Sequence, residues 1–377
     1  MRTPIYWASF FVTLHYALLL YINSSFLEKF FSEQQTSLIY TASAIITLCT
    51  LSVIPHLINR YRRYWVTLTL LVITAIAAFA MSISTNKFLL GGLFLAINTT
   101  AIVLRLLLDI YLEQFSRNAD TGAVRGIELT VINIAIAISP FLAAYILAGE
   151  HYERLYLVAA LVLIPGIATV YTFLREVPHH QFDERNVRKA LSHIWQVTSL
   201  RTMFLANLLL EFFYAWMVIY MPVYLTRTIG FSWAEIGIIF SIMLLPFVFF
   251  ELPLGAIADR TESESEILTL GFVIMALFTG SLVFLHSNNI YIWALILFMT
   301  RVGAAAVEIM SESHFFRNIS VDDANLVGTF RDTRPLAFIA APLLGSVIIG
   351  SFGYNGIFLG LAALMLWGVR YGLAIKK

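Results

Sequence analysis

Long apolar runs separated by short polar stretches extend along almost the whole chain. A helix that crosses a bilayer needs about 20 mostly apolar residues, and twelve stretches of this kind can be delimited. The pattern therefore predicts an all-α integral membrane protein with twelve transmembrane helices, which we call spans one to twelve. Their predicted ranges are 4–23, 37–57, 65–83, 88–112, 126–148, 154–174, 203–226, 234–257, 265–285, 290–313, 327–350 and 354–374.

The composition rules out soluble, disordered and fibrous proteins. Apolar residues make up 59% and charged residues 12% of the 377 residues, whereas soluble globular proteins carry about 25% charged residues. The formal net charge is +1 and no long basic run occurs, so the sequence has no electrostatic footprint for nucleic acid. The single cysteine, Cys49, excludes a disulfide framework and a cysteine-based metal site. We expect no metal and no other cofactor.

Lysine and arginine residues are unevenly distributed between the loops. Cytoplasmic loops of membrane proteins retain positive charge. With twelve spans, 18 of the 24 Lys and Arg residues fall on the side of the two termini, 4 fall on the opposite side, and Arg105 and Arg301 remain inside spans. We therefore expect both termini in the cytoplasm. Few cysteines and short loops are typical of a bacterial inner membrane.

The longest polar segment follows span six and divides the chain into two similar lengths. It predicts an N-terminal six-helix bundle over 1–174, a cytoplasmic linker over 175–202 and a C-terminal six-helix bundle over 203–377. Apolar residues of the linker, among them Ile194 and Trp195, recur at helical spacing beside basic residues. This spacing predicts an amphipathic helix at the cytoplasmic interface.

The two halves also resemble each other in sequence. Pro140 in span five recurs as Pro342 in span eleven, and Arg117 after span four recurs as Arg317 after span ten. A parallel repeat of six spans implies two similar bundles related by a pseudo-twofold axis.

The loops after spans two and eight carry related motifs at equivalent places of the two halves. After span eight, Gly255 allows a tight helix exit, Asp259 can cap the next element, and Arg260 can reach a carboxylate on a neighbouring helix. This pair of loops resembles the signature G-x-x-x-D-R-x-G-R of the major facilitator superfamily, which lies between spans two and three and again between spans eight and nine. The residues concerned are Asn59, Arg60, Arg63, Glu251, Gly255, Asp259 and Arg260.

Both copies of the motif depart from the superfamily pattern. Pro55, Asn59 and Arg62 replace Gly, Asp and Gly in the first copy, and Glu262 replaces the second Gly in the second copy. The resemblance implies two six-helix bundles that rock around a central substrate site and give alternating access. The span-five pattern Gly-Pro-x-x-Gly-Gly of drug and proton antiporters is present only as Ser139-Pro140-x-x-Ala143-Ala144, which counts against an antiporter but leaves it as an alternative.

Ionisable residues inside the spans are the main sequence signal for function, because each is costly in hydrocarbon unless it has a partner or a wet cavity. Arg105 and Asp109 lie one helical turn apart in span four. Arg301 lies near the bilayer centre in span ten, where we expect it to bind an anionic substrate or to hold a proton-carrying carboxylate; a structural salt bridge is the alternative. Charged residues near the cytoplasmic ends, which we interpret as gate pairs, are Asp109, Glu113, Glu251, Glu308, Glu312, Arg331 and Arg334.

Glu211 and His15 are the two further candidates for proton coupling. Glu211 lies in an aromatic part of span seven, an environment in which a carboxylate can be reversibly protonated. Its counterpart would be Arg301 or a substrate cation. His15 lies near the middle of span one, and histidine titrates close to neutral pH. The alternatives are a structural glutamate between helices and a neutral, hydrogen-bonded histidine.

The resemblance also implies that spans one, four, seven and ten line the cavity. Aromatic and amide side chains on these spans would suit a modest amphipathic solute. They are Trp7, Tyr16, Asn98, Tyr214, Trp216 and Tyr220.

Together these features predict a secondary active transporter of a small organic solute, working by proton-coupled symport. We expect it to act as a monomer in the lipid bilayer. A proton/solute antiporter of the drug type and a non-transporting sensor or scaffold are the alternatives. We do not expect an enzyme, because the spans contain neither a converging nucleophile and base nor a His-Glu-x-x-His metal pair.

Overall fold

The computed structural model describes residues 2–114, 121–147, 151–177, 186–250, 253–254, 264–319 and 324–375. Within these ranges ten helices are long and apolar enough to cross a membrane. A further helix, Trp233–Phe249, has 17 residues, and the last helix, Thr333–Ile375, is divided by non-helical backbone at Gly353. The described residues thus form the twelve spans that hydropathy predicts.

The observed bounds differ from the predicted ones mainly at the helix ends. Spans one to six are Arg2–Leu20, Glu33–Tyr61, Arg63–Ile83, Lys87–Gln114, Thr121–Ile146 and Tyr152–Phe173. Spans seven to ten are Thr198–Val223, Trp233–Phe249, Glu264–Ser281 and Ile290–Arg317. Spans eleven and twelve are the parts of Thr333–Ile375 before and after Gly353. Shorter helical elements are Asn23–Leu27, Val187–Gln196, Tyr224–Ile229, Leu282–Phe284 and Ala324–Arg331.

The chain forms two compact units, Met1–Glu184 and Arg185–Lys377. In the first unit, span one packs against spans four, five and six, span two packs against span four, and span three packs against spans four and six. In the second unit, span seven packs against span ten and the helix of spans eleven and twelve, span eight packs against span ten, and span nine packs against both. The same set of neighbours therefore recurs in each unit.

The start of the second helix in each unit repeats a capping device. The Ser32 hydroxyl accepts a hydrogen bond from the backbone N–H of Gln35, and the Gln35 side chain accepts one from the backbone N–H of Ser32. Ser232 and Glu235 form the same reciprocal arrangement at the start of span eight. Such a box satisfies two backbone donors that would otherwise lack partners at a helix N-terminus. Its recurrence adds a third match to the internal repeat.

Polar side chains link the helices inside the first unit. The Tyr156 hydroxyl of span six donates to Asn23 Oδ1 at 2.7 Å. The hydroxyl oxygens of Thr74 and Thr100 lie 2.7 Å apart across spans three and four. Hydrocarbon offers no hydrogen-bonding partners, so a polar group inside the bilayer is satisfied by a neighbouring helix.

Two aromatic side chains of span seven bind the backbone of span eleven. Trp216 Nε1 donates to the Ala341 carbonyl at 2.6 Å, and the Tyr220 hydroxyl donates to the Pro342 carbonyl at 2.9 Å. A Cβ added at Gly345 would meet the Tyr220 ring, so the glycine makes room for it. Trp216 is 2% exposed and Tyr220 is 1% exposed. Both side chains, expected from the resemblance to line a cavity, lie in this helix contact.

The linker contains the helix Val187–Gln196. The Asn186 side chain caps its N-terminus by accepting a hydrogen bond from the backbone N–H of Lys189 at 3.0 Å. The backbone N–H of Asn186 in turn donates to the Asn325 side chain at 2.9 Å, so the helix is tied to the short helix that precedes span eleven. Ile194 is buried and Trp195 is half-exposed.

Arg62 ends span two with an unusual backbone conformation. It is the one non-glycine residue of positive φ among the described residues, at φ 65°, and it occupies the position of the signature's second glycine. A side chain at such a φ strains the backbone by about 1–3 kcal/mol. Glycine, which the signature has at this position, adopts a positive φ without that strain, whereas this chain has an arginine there.

We predict that Arg62→Gly stabilises the protein by about 1 kcal/mol, because glycine relieves the strain at φ 65°. Arg60→Gly is the matched control. Arg60 is also exposed but lies in the last helical turn, where glycine costs about 1 kcal/mol. Thermal unfolding in detergent measures both variants. A lower melting temperature for Arg62→Gly would show that the arginine is not strained.

Candidate functional site

Spans seven, ten and eleven bring five chemically active side chains together in the second unit. Glu211 and Tyr214 come from span seven, Arg301 and Glu308 from span ten, and Arg334 from the start of span eleven. We call these five residues the Arg301 cluster. Each of them lies on a long helix, so the backbone that carries the site is rigid.

The Arg301 side chain is the most unusual member of the cluster. The residue is 1% exposed, and its guanidinium carbon lies 5.1 Å from the ring centroid of Phe213 and 5.2 Å from that of Tyr214. None of its three guanidinium nitrogens has a hydrogen-bond partner in the part of the chain that the structure describes. A structural salt bridge, the alternative from the sequence, is therefore not formed with these residues.

Tyr214 links Arg301 to the carboxylates. Its hydroxyl donates to Glu308 Oε2 at 2.6 Å, and its ring lies against the Arg301 guanidinium. The hydroxyl also interacts electrostatically with Arg301 and Glu211. Tyr214 and Glu308 are partly exposed. The buried guanidinium therefore contacts a ring that is itself partly exposed.

Glu211 pairs with an arginine of span eleven. Glu211 Oε2 lies 3.7 Å from Arg334 Nη1, with the two side chains 14% and 29% exposed. One helical turn earlier, Asn207 Nδ2 donates to the Thr333 hydroxyl at 2.7 Å. These two contacts set the register of span seven against span eleven. The sequence placed Glu211 opposite Arg301 or a substrate cation; the structure places it beside Arg334, which the sequence assigned to a gate.

The cluster combines two carboxylates with two arginines. Glu211 and Glu308 can each bind and release a proton, whereas an arginine stays charged. With all groups ionised, the two carboxylates balance Arg301 and Arg334. No group of three or more His, Cys, Asp or Glu side chains in the described ranges is arranged to hold a metal ion.

The candidates of the first unit are distributed over several helix contacts. His15 is fully buried and its Nδ1 donates to the Ala159 carbonyl at 2.9 Å, as in the alternative of a neutral, hydrogen-bonded histidine. Asn98 Nδ2 donates to the Ser43 hydroxyl at 2.8 Å. The remaining candidates are half-buried Arg105 and Asp109, buried Tyr16, and Trp7, whose half-exposed ring stacks on Phe11.

Arg63 is the best-bonded residue of the first signature loop. It is 3% exposed, its Nη1 donates to the Ile110 carbonyl at 3.2 Å, and its guanidinium carbon lies 3.8 Å from the Tyr111 ring centroid. It therefore fastens the start of span three to the end of span four. The other gate candidates in the described part, Asn59, Arg60, Glu312 and Arg331, are exposed. Glu251, Gly255, Asp259, Arg260 and the Glu113 side chain lie outside the described residues.

A second charged group was not found from the sequence. Glu264 at the start of span nine lies 2.7 Å from His314 Nδ1 and 2.9 Å from Arg317 Nη1 at the end of span ten. His314 and Arg317 are three residues apart on one helix, a spacing that indicates a shared face. Their carboxylate partner is 50 positions away from His314, and no local pattern connects the two.

The sequence model of the Major Facilitator Superfamily matches residues 5–325. No curated protein matches the chain by sequence.

Among solved structures, the nucleoside transporter NupG in its D323A mutant form is similar over 100% of both chains, with a TM-score of 0.80 and 14% identity. The human organic anion transporter MFSD10 is similar over 98% of both chains, with a TM-score of 0.71 and 15% identity. A POT family transporter in complex with 5-aminolevulinic acid is similar over 99% of this chain and 95% of its own, with a TM-score of 0.78 and 13% identity. At these identities the likeness concerns the fold.

The unpartnered guanidinium leads to a prediction on stability. A charge in the membrane interior costs several kcal/mol of free energy, and cation–π contacts offset about 2 kcal/mol of that cost. We therefore expect Arg301→Met to raise the melting temperature in detergent. Arg63→Met is the control and should lower it, because the hydrogen bond to Ile110 is lost. Equal losses of stability in the two variants would assign Arg301 to the structural framework.

Proposed function

The chain belongs to the Major Facilitator Superfamily, and on this premise we propose that it is a secondary active transporter that carries a small organic solute together with protons by alternating access. Support for transport comes from the family and from a fold shared with transporters of nucleosides and other solutes. Support for proton coupling comes from the Arg301 cluster. The observation that carries the proposal is a buried arginine that has no hydrogen-bond partner among the described residues and lies in one cluster with two partly exposed carboxylates.

Glu211 and Glu308 are the proposed proton carriers. Each lies inside a span and each has a partner that depends on its charge: Arg334 for Glu211 and the Tyr214 hydroxyl for Glu308. A hydrogen bond to a carboxylate is about twice as strong as one to a neutral acceptor. Protonation of Glu308 therefore weakens its hold on Tyr214, and with it the position of the ring that covers Arg301. This couples the charge of Glu308 to access at the guanidinium.

The signature loops and the cytoplasmic ends of the spans form the proposed gate. Arg63 already connects spans three and four, and the first loop lacks the signature's aspartate because Asn59 stands in its place. Candidates of the first unit such as Asn98 and Tyr16 are proposed to contact the solute. The surplus of Lys and Arg on one side supports cytoplasmic termini in a bacterial inner membrane.

Uptake into proteoliposomes tests the proposal. Vesicles with an alkaline interior should accumulate a solute from a metabolite pool, and a protonophore should abolish the accumulation. At least one of the variants Glu211→Gln and Glu308→Gln should reduce initial uptake to the level of vesicles without protein, because an amide cannot carry a proton. The melting temperature of each variant checks that it folds.

Glu153→Gln is the matched control for these variants. Glu153 is an exposed carboxylate next to His151, so its loss should leave uptake unchanged. Accumulation that is equally strong without a pH gradient would contradict proton coupling, and export driven by an inward proton gradient would establish antiport instead.

A further inference from the structure

The Arg301 cluster lacks a hydrogen-bond acceptor at one defined place, the Arg301 guanidinium. Buried charges in proteins are normally paired and hydrogen-bonded, yet the Arg301 guanidinium, at 1% exposure, has no hydrogen-bond acceptor among the described residues. The rings of Phe213 and Tyr214 are its contacts, and an aromatic face satisfies none of the five N–H donors of an arginine. We infer that these donors bind an acceptor that is not one of the described residues.

The two nearby carboxylates already have partners. Glu308 accepts the hydrogen bond from Tyr214 at 2.6 Å, and Glu211 lies 3.7 Å from Arg334. Neither carboxylate forms a hydrogen bond with the Arg301 guanidinium, although Glu308 is on the same helix. The five residues are neutral as a group when ionised, but among the described residues the Arg301 guanidinium has no acceptor for its hydrogen bonds. An amine would compete with Tyr214 for Glu308 and with the Arg334 charge for Glu211, whose Oε2 accepts no hydrogen bond among the described residues. An oxyanion would meet a guanidinium whose donors have no acceptor among these residues.

The side chains around Arg301 favour a carboxylate with an apolar body. A planar guanidinium pairs with a carboxylate through two parallel hydrogen bonds. The half-buried Tyr214 ring contacts the guanidinium, and the half-buried Phe247 ring lies 6.3 Å from the Tyr214 ring, edge to face. Aromatic rings in this position offer apolar contact to the remainder of a small solute.

We propose that Arg301 binds the carboxylate of a small organic monoanion with an apolar or aromatic body. The inference rests on the proposed transport function and names its substrate class. Charge balance supports a single negative charge, because the two carboxylates and two arginines of the cluster sum to zero when ionised. One anion then brings one uncompensated charge, which one proton on Glu211 or Glu308 neutralises. The predicted stoichiometry is one proton for each anion.

Binding to the purified protein tests the substrate class without a membrane or a gradient. Isothermal titration calorimetry would compare carboxylates with their uncharged or cationic counterparts: benzoate with benzamide and benzylamine, and 3-phenylpropionate with its amide, with inorganic phosphate as a further oxyanion. We expect a carboxylate to bind, and its amide to bind about tenfold more weakly or worse, since one lost charge-assisted pair has this effect.

Variants at Arg301 connect binding to the guanidinium. Arg301→Gln should abolish carboxylate binding, and Arg301→Lys should restore part of it because the charge remains. Glu153→Gln should bind as the native protein does. Preference for the amine, preference for phosphate over every carboxylate, or carboxylate binding that persists in Arg301→Gln would overturn the inference.

Uptake of the same compounds separates the two proposals. Carboxylate binding through Arg301 without gradient-driven uptake would refute the transport function while the anion site stands. Gradient-driven uptake of an uncharged or cationic solute, unaffected by Arg301→Gln, would refute the anion site while the transport function stands.

Discussion

A bilayer interior supplies no water and no hydrogen-bonding partner, and this constraint shapes almost every polar contact in the protein. Tyr156 reaches Asn23, Asn207 reaches Thr333, and Trp216 reaches a backbone carbonyl of span eleven. Each of these contacts connects two helices, so meeting the demand of a polar group also fixes how the spans pack. Several buried polar atoms of the described residues have no hydrogen-bond partner, and Arg301 differs from the other residues concerned in that all three of its guanidinium nitrogens are among them.

The same constraint explains the difference between the two buried arginines. Arg63 has an acceptor on span four and serves as a fastener between helices. Arg301 is equally buried and faces two aromatic rings instead. A guanidinium that stabilises the fold is surrounded by acceptors, whereas one that awaits a ligand must keep its donors unused. If Arg301 binds an anion as we propose, its unused donors lower the stability of the free protein and raise its affinity for the anion.

Hydropathy located the spans, and helical spacing located the linker helix, because these depend on local sequence. The sequence alone did not predict which side chains pair between helices. Nothing near Glu211 indicates that Arg334, more than a hundred positions away, is its neighbour, and nothing in span seven shows that Trp216 and Tyr220 turn toward backbone carbonyls. Such contacts depend on how each helix is rotated about its axis. Likewise, the replacement of the signature's second glycine by Arg62 does not by itself reveal backbone strain; the positive φ angle in the structure does.

Infrared difference spectroscopy tests the central claim, that Arg301 keeps its donors for a solute carboxylate while a neighbouring carboxylate takes up a proton. The solute would carry ¹³C in its carboxylate, and spectra with and without it would be compared. The account predicts a carboxylate band of the labelled solute that shifts in Arg301→Lys, together with a new band of a protonated carboxylic acid that disappears in Glu211→Gln or Glu308→Gln. A solute band identical in the native protein and the Arg301→Lys variant, with no protonated acid, would contradict it.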